Sequence, residues 1–301
     1  MIRVIRHSKI WFIFSGILVA ASVVLLLTWG LKPGIDFTGG SLFELEFSEG
    51  ISQSELTALL QENGYHNVVV QPSTDKVVLV KTAVLDEAMT GKFKEIVTQK
   101  FGLYKELRFD SVGPTISSEL VRKAYWQIAL VVVGILLYIA YAFRNTGKLA
   151  QKFGISSWRM GLAAIVALIH DLLITVGLFV ILGKFRGVEV DGLFVTALLT
   201  ILGFSIHDTI VVFDRIRESL QKHPYKDLDV IMDYSVASTM ARSINTSSTL
   251  VFVLVAMLLF GGQTIFNFVL ALLVGVIVGT YSSIFIATPL LYLWSKSGQT
   301  K

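Results

Sequence analysis

The segment Gly203–Glu218, GFSIHDTIVVFDRIRE, puts His207 and Asp208 inside a run otherwise apolar enough to cross a membrane. That run starts near Leu193 and ends in dense charge at Asp214, Arg215, Arg217 and Glu218. On a helix, Asp208 then lies roughly 22 Å along a hydrocarbon core of about 30 Å. An ionised Asp at a helix centre costs about 2.5–3.5 kcal/mol, which off-centre placement reduces and protonation or a cation partner offsets. An intramembrane acid therefore reads as a proton site by default, the alternative being a structural hydrogen bond to a neighbouring helix. A second pair, His170-Asp171, falls near the middle of another apolar run, and Arg242 stands where a further run begins. Asp171, Asp208 and Arg242 form a stair of depths, and a helix shift that changes the distance from Asp208 to Arg242 would take up or release a proton. One elementary charge moved through 100 mV is worth about 2.3 kcal/mol, enough to bias a modest rearrangement. The alternative for Arg242 is a topology anchor at a cytoplasmic helix end.

Other chemistries fit less well. The outer half of the membrane offers only hydroxyls such as Thr175, Thr196 and Thr200, so a complete proton path needs a water-filled vestibule or another subunit, and the isolated chain is expected to conduct no protons. Two His and two Asp invite a metal reading, but consecutive helical residues diverge by about 100° and no HExxH spacing puts two ligands on one face, so no metal is expected. Without a cysteine, a Gly-x-Ser-x-Gly or a zinc motif, no catalytic residue and no enzyme activity is expected. Gly34–Gly40, GIDFTGG, lacks the strand-to-helix setting of a phosphate loop and reads as a shaped connector. Glu44 and Glu46 fall on one face of a strand, read as the solvated one. Gly275 and Gly279 form a GxxxG that Ser283 extends, which reads as close helix packing.

The elements that must position these residues follow from hydropathy. A mean hydropathy of +0.68, with 53% hydrophobic and 16% charged residues, describes a polytopic helical membrane protein with one polar domain. Residues 1–31 hold a basic start (Arg3, Arg6, Lys9) and a first span, Ile10–Leu31, flanked by Trp11 and Trp29 and read as an uncleaved anchor. Residues 32–122 alternate and carry caps: a strand at Leu42–Phe47, a helix opened by Ser52 and Glu55 and closed by Gly64, a hairpin Val68–Val70 and Val77–Val80 around a turn at Pro72–Asp75, a helix Leu85–Phe101 and a strand Tyr104–Val112. That βαββαβ order predicts an α+β ferredoxin-like extracytoplasmic domain between spans one and two. Residues 123–301 hold five further spans: Ala124–Phe143, Gly161–Leu182, one from Leu193, one from Ser243 to about Gly261 and Ile265–Trp294, with an amphipathic surface helix expected at Lys226–Met240. Arg144, Lys148, Lys152, Arg159, Lys296 and Lys301 mark cytoplasmic sides, so six spans with both termini in the cytoplasm satisfy the positive-inside rule, and the net charge of +4 reads as topological and not as nucleic-acid binding.

Five motifs stand in order: GIDFTGG at Gly34–Gly40, VGP at Val112–Pro114, HDLLITVG at His170–Gly177, the stretch Gly203–Glu218, and ARSINTSST at Ala241–Thr249. On these, the chain resembles the SecF family of bacterial protein-export membrane proteins, itself similar to half of an RND-type exporter. The resemblance implies an accessory subunit of the Sec preprotein translocase in the bacterial cytoplasmic membrane. With SecD as partner it would use the proton motive force, and no cofactor, to promote late stages of translocation, after SecA has pushed the preprotein through the SecYEG channel. It implies Asp208 and Arg242 as the proton-coupling residues, with His207, Asp171, His170 and Thr209 in supporting positions and Asp171 assigned mainly helix contacts. Family members usually carry Asn before the fourth-span acid, where this chain has His207. Two other classes use parts of the same pattern. An RND-type solute or lipid exporter would need a hydrophobic substrate channel, and a structural scaffold subunit would need no titrating acid.

Overall fold

The structure, a computed structural model, describes residues 3–72, 76–144, 153–223 and 226–297. The expected turn residues Ser73, Thr74 and Asp75 and the basic residues Lys148, Lys152 and Lys301 lie outside the described residues. The chain divides into two units: residues 1–31, 126–188 and 193–301 form the first, and 32–125 with 189–192 form the second.

The second unit opens with a short turn of helix, α2 (Ile35–Thr38), and strand β1 (Gly40–Phe47). It continues through α3 (Gln53–Glu62), β2 (Val69–Pro72), β3 (Val77–Thr82), α4 (Glu87–Phe101) and β4 (Tyr104–Val112). The helices start where side chains satisfy their free N–H groups: Ser52 Oγ accepts from Glu55 N, and Asp86 Oδ1 from Met89 N at 2.7 Å. The four strands pair antiparallel in the order β2-β3-β1-β4. Alternation sends Phe43, Leu45 and Phe47 of β1 to one face, where they pack with Leu56, Leu60, Phe93 and Val97 of the two helices. Phe43 stacks on Phe93 with centroids 4.1 Å apart.

Glu44 departs from the expected solvated face. It is buried, because β1 is a central strand and Leu79 and Arg108 flank Glu44 across both ladders, while Glu46 nearer the strand end is half-buried. The register shifts between Glu44 and Leu45, leaving Leu107 of β4 as the unpaired residue of a bulge.

Among the described residues, six helices are long and apolar enough to cross a membrane. They are α1 (Ser8–Thr28), α5 (Pro114–Ala142), α6 (Ser157–Arg186), α7 (Gly192–Lys222), α8 (Leu228–Phe260) and a last span made of α9 (Gln263–Ser282), a π-turn (Ser283–Ala287) and α10 (Thr288–Ser297). The buried residues of α1 are Ser8, Ser15 and Ser22, one every seven, so this helix packs through a stripe of small hydroxyls and leaves Ile13, Phe14, Ile17 and Leu27 exposed. Ser22 lies against Gly177 of α6, where an added Cβ would sit 2.9 Å from the Ser22 Cα.

Three expectations change. Helix α5 begins at Pro114, ten residues before the expected span, since Pro at a first helical position gives up only an N–H that would be free anyway. The expected domain boundary at residue 122 therefore falls inside a continuous helix. Second, no separate surface helix precedes the fifth span: α8 runs unbroken for 33 residues, with neither Gly nor Pro between Leu228 and Phe260 to interrupt it. Third, the last span contains the π-turn, which ends just before Pro289; Thr288 Oγ1 donates to Ser283 O at 3.2 Å where the regular ladder is disturbed. Arg159, one of the basic residues read as marking a cytoplasmic side, also ties chain segments together: its Nη1 donates to Gly154 O at 2.6 Å and Trp294 O at 3.0 Å.

The chain's start is also tied down. Val4 and Ile5 are buried in the core of the first unit, and the Asp233 carboxylate accepts from Ile5 N at 2.9 Å.

Candidate functional site

The polar interior of the first unit is built where α7 meets the last span. Gly275, Gly279 and Ser283 recur every four residues on α9 and the π-turn and face Ile201, Ser205 and Thr209, spaced by four on α7. A Cβ on Gly275 would lie 2.8 Å from Ile201 Cγ2, and one on Gly279 2.9 Å from Ser205 Cβ. Ser283 Oγ and Thr209 Oγ1 are 2.9 Å apart. Small residues let the two backbones approach, and the hydroxyls find partners across the seam instead of meeting lipid.

Asp171 sits against this seam with no exposed surface. Its Oδ2 accepts from Ser205 Oγ at 2.6 Å and Ser282 Oγ at 2.8 Å, and its Oδ1 lies 2.9 Å from His170 Nδ1. One side chain of α6 thus ties α7 and the last span together. His170 is buried, stacks against Tyr281 at 6.1 Å, and its Nε2 has no hydrogen-bond partner among the described residues. Tyr281 in turn reaches α1 through Ser15 Oγ at 3.1 Å.

Asp208 is 4% exposed, and its carboxylate faces the side chains of Ser243 on α8 and Thr280 on α9. Thr280 is engaged elsewhere: its Oγ1 lies 2.5 Å from Ser247 Oγ and donates to Val276 O at 2.9 Å. Ser243 Oγ is buried and makes no close hydrogen bond among the described residues, and the group it faces is the Asp208 carboxylate. His207, one residue earlier, is exposed, as the 100° step of a helix requires. Arg242 is exposed on α8, and no ion pair between it and Asp208 occurs among the described residues. The charged end of α7 pairs with itself: Glu218 takes Arg215 and Lys222 at 2.6 Å each, and Asp214 takes Arg217 at 2.8 Å. The structure therefore brings His170, Asp171, Thr209, Gly275, Gly279 and Ser283 into one buried network, sets Asp208 at its edge, and leaves His207 and Arg242 on the surface of this chain.

The partners Ser205, Ser243, Ser247, Thr280 and Ser282 were not singled out from sequence. The signal was present as the hydroxyl run Thr280-Tyr281-Ser282-Ser283 in an apolar span. The outer-half hydroxyls Thr175 and Thr200 bond carbonyls of their own helix, Asp171 O and Thr196 O, at 2.9 and 2.8 Å.

Six apolar helices, with two carboxylates buried among hydroxyls and a separate four-stranded unit, define a multi-pass helical membrane protein with an ionisable interior. Residues 92–297 match the family described as protein export membrane protein SecD/SecF, C-terminal, and residues 24–51 match the SecD/SecF GG motif. The chain belongs to the SecD/SecF family, on its SecF side. It is 42% identical to the protein translocase subunit SecF of Thermobaculum terrenum, over 98% of this chain and 94% of that one. It is 35% identical to the protein translocase subunit SecDF of Bacillus subtilis, over 95% of this chain and 37% of that longer one. Among solved structures, the crystal structure of SecDF, a translocon-associated membrane protein, from Thermus thermophilus superposes with a TM-score of 0.84 at 30% identity, over 97% of this chain and 38% of that chain.

Proposed function

We propose that this chain is an accessory subunit of the Sec preprotein translocase that works with SecD and draws on the proton motive force to promote late stages of translocation. The observation that carries the reading is Asp208: a buried carboxylate on a helix of spanning length, facing the hydroxyls of Ser243 and Thr280, in a chain whose near-full-length relatives are named translocase subunits. A SecD partner is supported by the SecDF relatives, in which the matching region is about a third of one longer chain. An exposed Arg242 fits a coupling site completed at a subunit face. SecYEG, SecA and the translocating preprotein are then indirect or transient partners, and exposed apolar rows such as Ile13, Phe14 and Ile17 meet lipid or the SecD helices. Arg3, Arg6 and Lys9 before α1 and Lys296 at the other end support cytoplasmic termini, with the second unit on the opposite side of the membrane. The strand order and antiparallel pairing of that unit support reading it as a ferredoxin-like domain.

Preprotein export into vesicles carrying the SecD partner, with and without a proton gradient, tests the reading. Asp208→Asn and Arg242→Met are expected to remove the gradient-dependent component about tenfold or more while ATP-driven export and complex assembly persist. Unchanged gradient dependence in both variants would make the chain a scaffold, and gradient-driven efflux of a solute or lipid without preprotein would favour an exporter of the RND type.

A further inference from the structure

The motif Gly34–Gly40 has a partner elsewhere in the chain. The four residues Glu189–Gly192, which join α6 to α7, belong to the second unit and are held by it at several points. Pro33 and Val190 form a parallel bridge: Gly34 N donates to Val190 O at 2.8 Å, and Val190 N donates to Lys32 O at 2.9 Å. Gly34 suits this approach, since a Cβ there would lie 3.1 Å from Val190 O, a tight contact. Asp36 Oδ2 accepts from Gly192 N at 2.7 Å. Lys81 of β3 pairs with Glu189 at 3.2 Å, both side chains about three-quarters or more buried. Gly192 is the first residue of α7, so the Asp36 carboxylate takes one of the N–H groups that a helix start leaves free, at the end where its dipole favours negative charge. Asp36 is thereby an N-terminal cap supplied from another part of the chain, and α7 is the helix that carries Asp208.

We propose that Asp36, with the Lys81–Glu189 pair, is a positioning clasp that fixes the start of α7 to the second unit, so that axial or rotational movement of the Asp208 helix is passed to that unit without slack. This rests on the coupling role assigned to Asp208. Helices are stiff along their axes, and the segment Glu189–Gly192 is bound by two backbone bonds, a cap and an ion pair. A clasp of this kind serves coupling without touching a proton.

Two readouts on the complex with its SecD partner separate this from the coupling reading. In Asp36→Ala, amide exchange of the first turn of α7 is expected to rise at least tenfold, and gradient-dependent export to fall at least fivefold, with ATP-driven export unchanged. Asp36→Asn keeps an acceptor and is expected to fall between wild type and Asp36→Ala. Lys81→Glu and Glu189→Lys singly are expected to lower gradient-dependent export, and the double exchange to restore it, which loss of folding could not mimic. Unchanged exchange in Asp36→Ala overturns the clasp whatever Asp208→Asn does. Faster exchange with full gradient dependence, while Asp208→Asn abolishes it, overturns the positioning role and leaves the coupling reading standing. If Asp208→Asn has no effect on export, the coupling reading falls, and the positioning role with it.

Discussion

Asp171 and Asp208 are both buried carboxylates, yet the chain provides for them differently. Asp171 has three side-chain partners within 2.9 Å; Asp208 faces Ser243 and a Thr280 that is also engaged with Ser247, both at looser range. The first arrangement suits a fixed structural bond and the second a group whose partners change. Asp171→Ala should strand the Ser205 hydroxyl, while Ser282 keeps its bond to Gly279 O, and cost about 1–3 kcal/mol, seen as a lower thermal midpoint of the complex in detergent. Asp208→Asn, isosteric and at the network's edge, should shift the same midpoint by less than about 1 kcal/mol. An equal loss in the two would contradict this division. The acids were legible from sequence because charge at membrane depth is costly; their hydroxyl partners were not, because Ser and Thr in spans commonly bond their own helix, as Thr175 and Thr200 do.

At the scale of elements, glycines divide by what a methyl group would meet. Gly177→Ala drives a Cβ into the Ser22 backbone and should loosen α1 from α6 by about 1–3 kcal/mol, while Gly16→Ala has nothing within 4 Å and should be neutral or slightly stabilising. Thermal unfolding of both variants beside wild type checks the contrast; equal midpoints would show that α1 does not pack on α6 through Ser22. Strand β4 runs from Tyr104 to Val112 as the alternation predicts, and α3 starts after Ser52 as its cap signature predicts, because both signals are local. The unbroken α8 and the π-turn were missed for a physical reason. Polarity between Asp229 and Arg242 marks an exposed face, not a helix end, and backbone irregularity next to Pro289 leaves the hydropathy of the span unchanged. The link of Asp36 to Gly192 joins residues 156 apart in sequence, which no local pattern encodes.

For the molecule as a whole, the surface-facing Arg242 and His207 and the self-bonded Thr175 and Thr200 leave Asp208 without a continuous polar route among the described residues. Purified alone in liposomes with an imposed gradient, the chain should pass no protons above the empty-vesicle leak, measured with an internal pH dye, and flux should need the SecD partner. Flux from the chain alone would refute this. The serine stripe of α1 bears on how such a molecule is made. Ser22 meets Gly177, a residue synthesised much later, and at about 5–20 residues per second the wait is roughly ten to thirty seconds. During it the third span is not yet there to pack against Ser22. Ser8, Ser15 and Ser22 suit that interval, being small enough to seat a late-arriving helix and able to satisfy their hydroxyls on their own backbone until it arrives. The stripe thus prepares two docking seats on α1 before their partners are made, Ser22 for Gly177 of the third span and Ser15 for Tyr281 of the last.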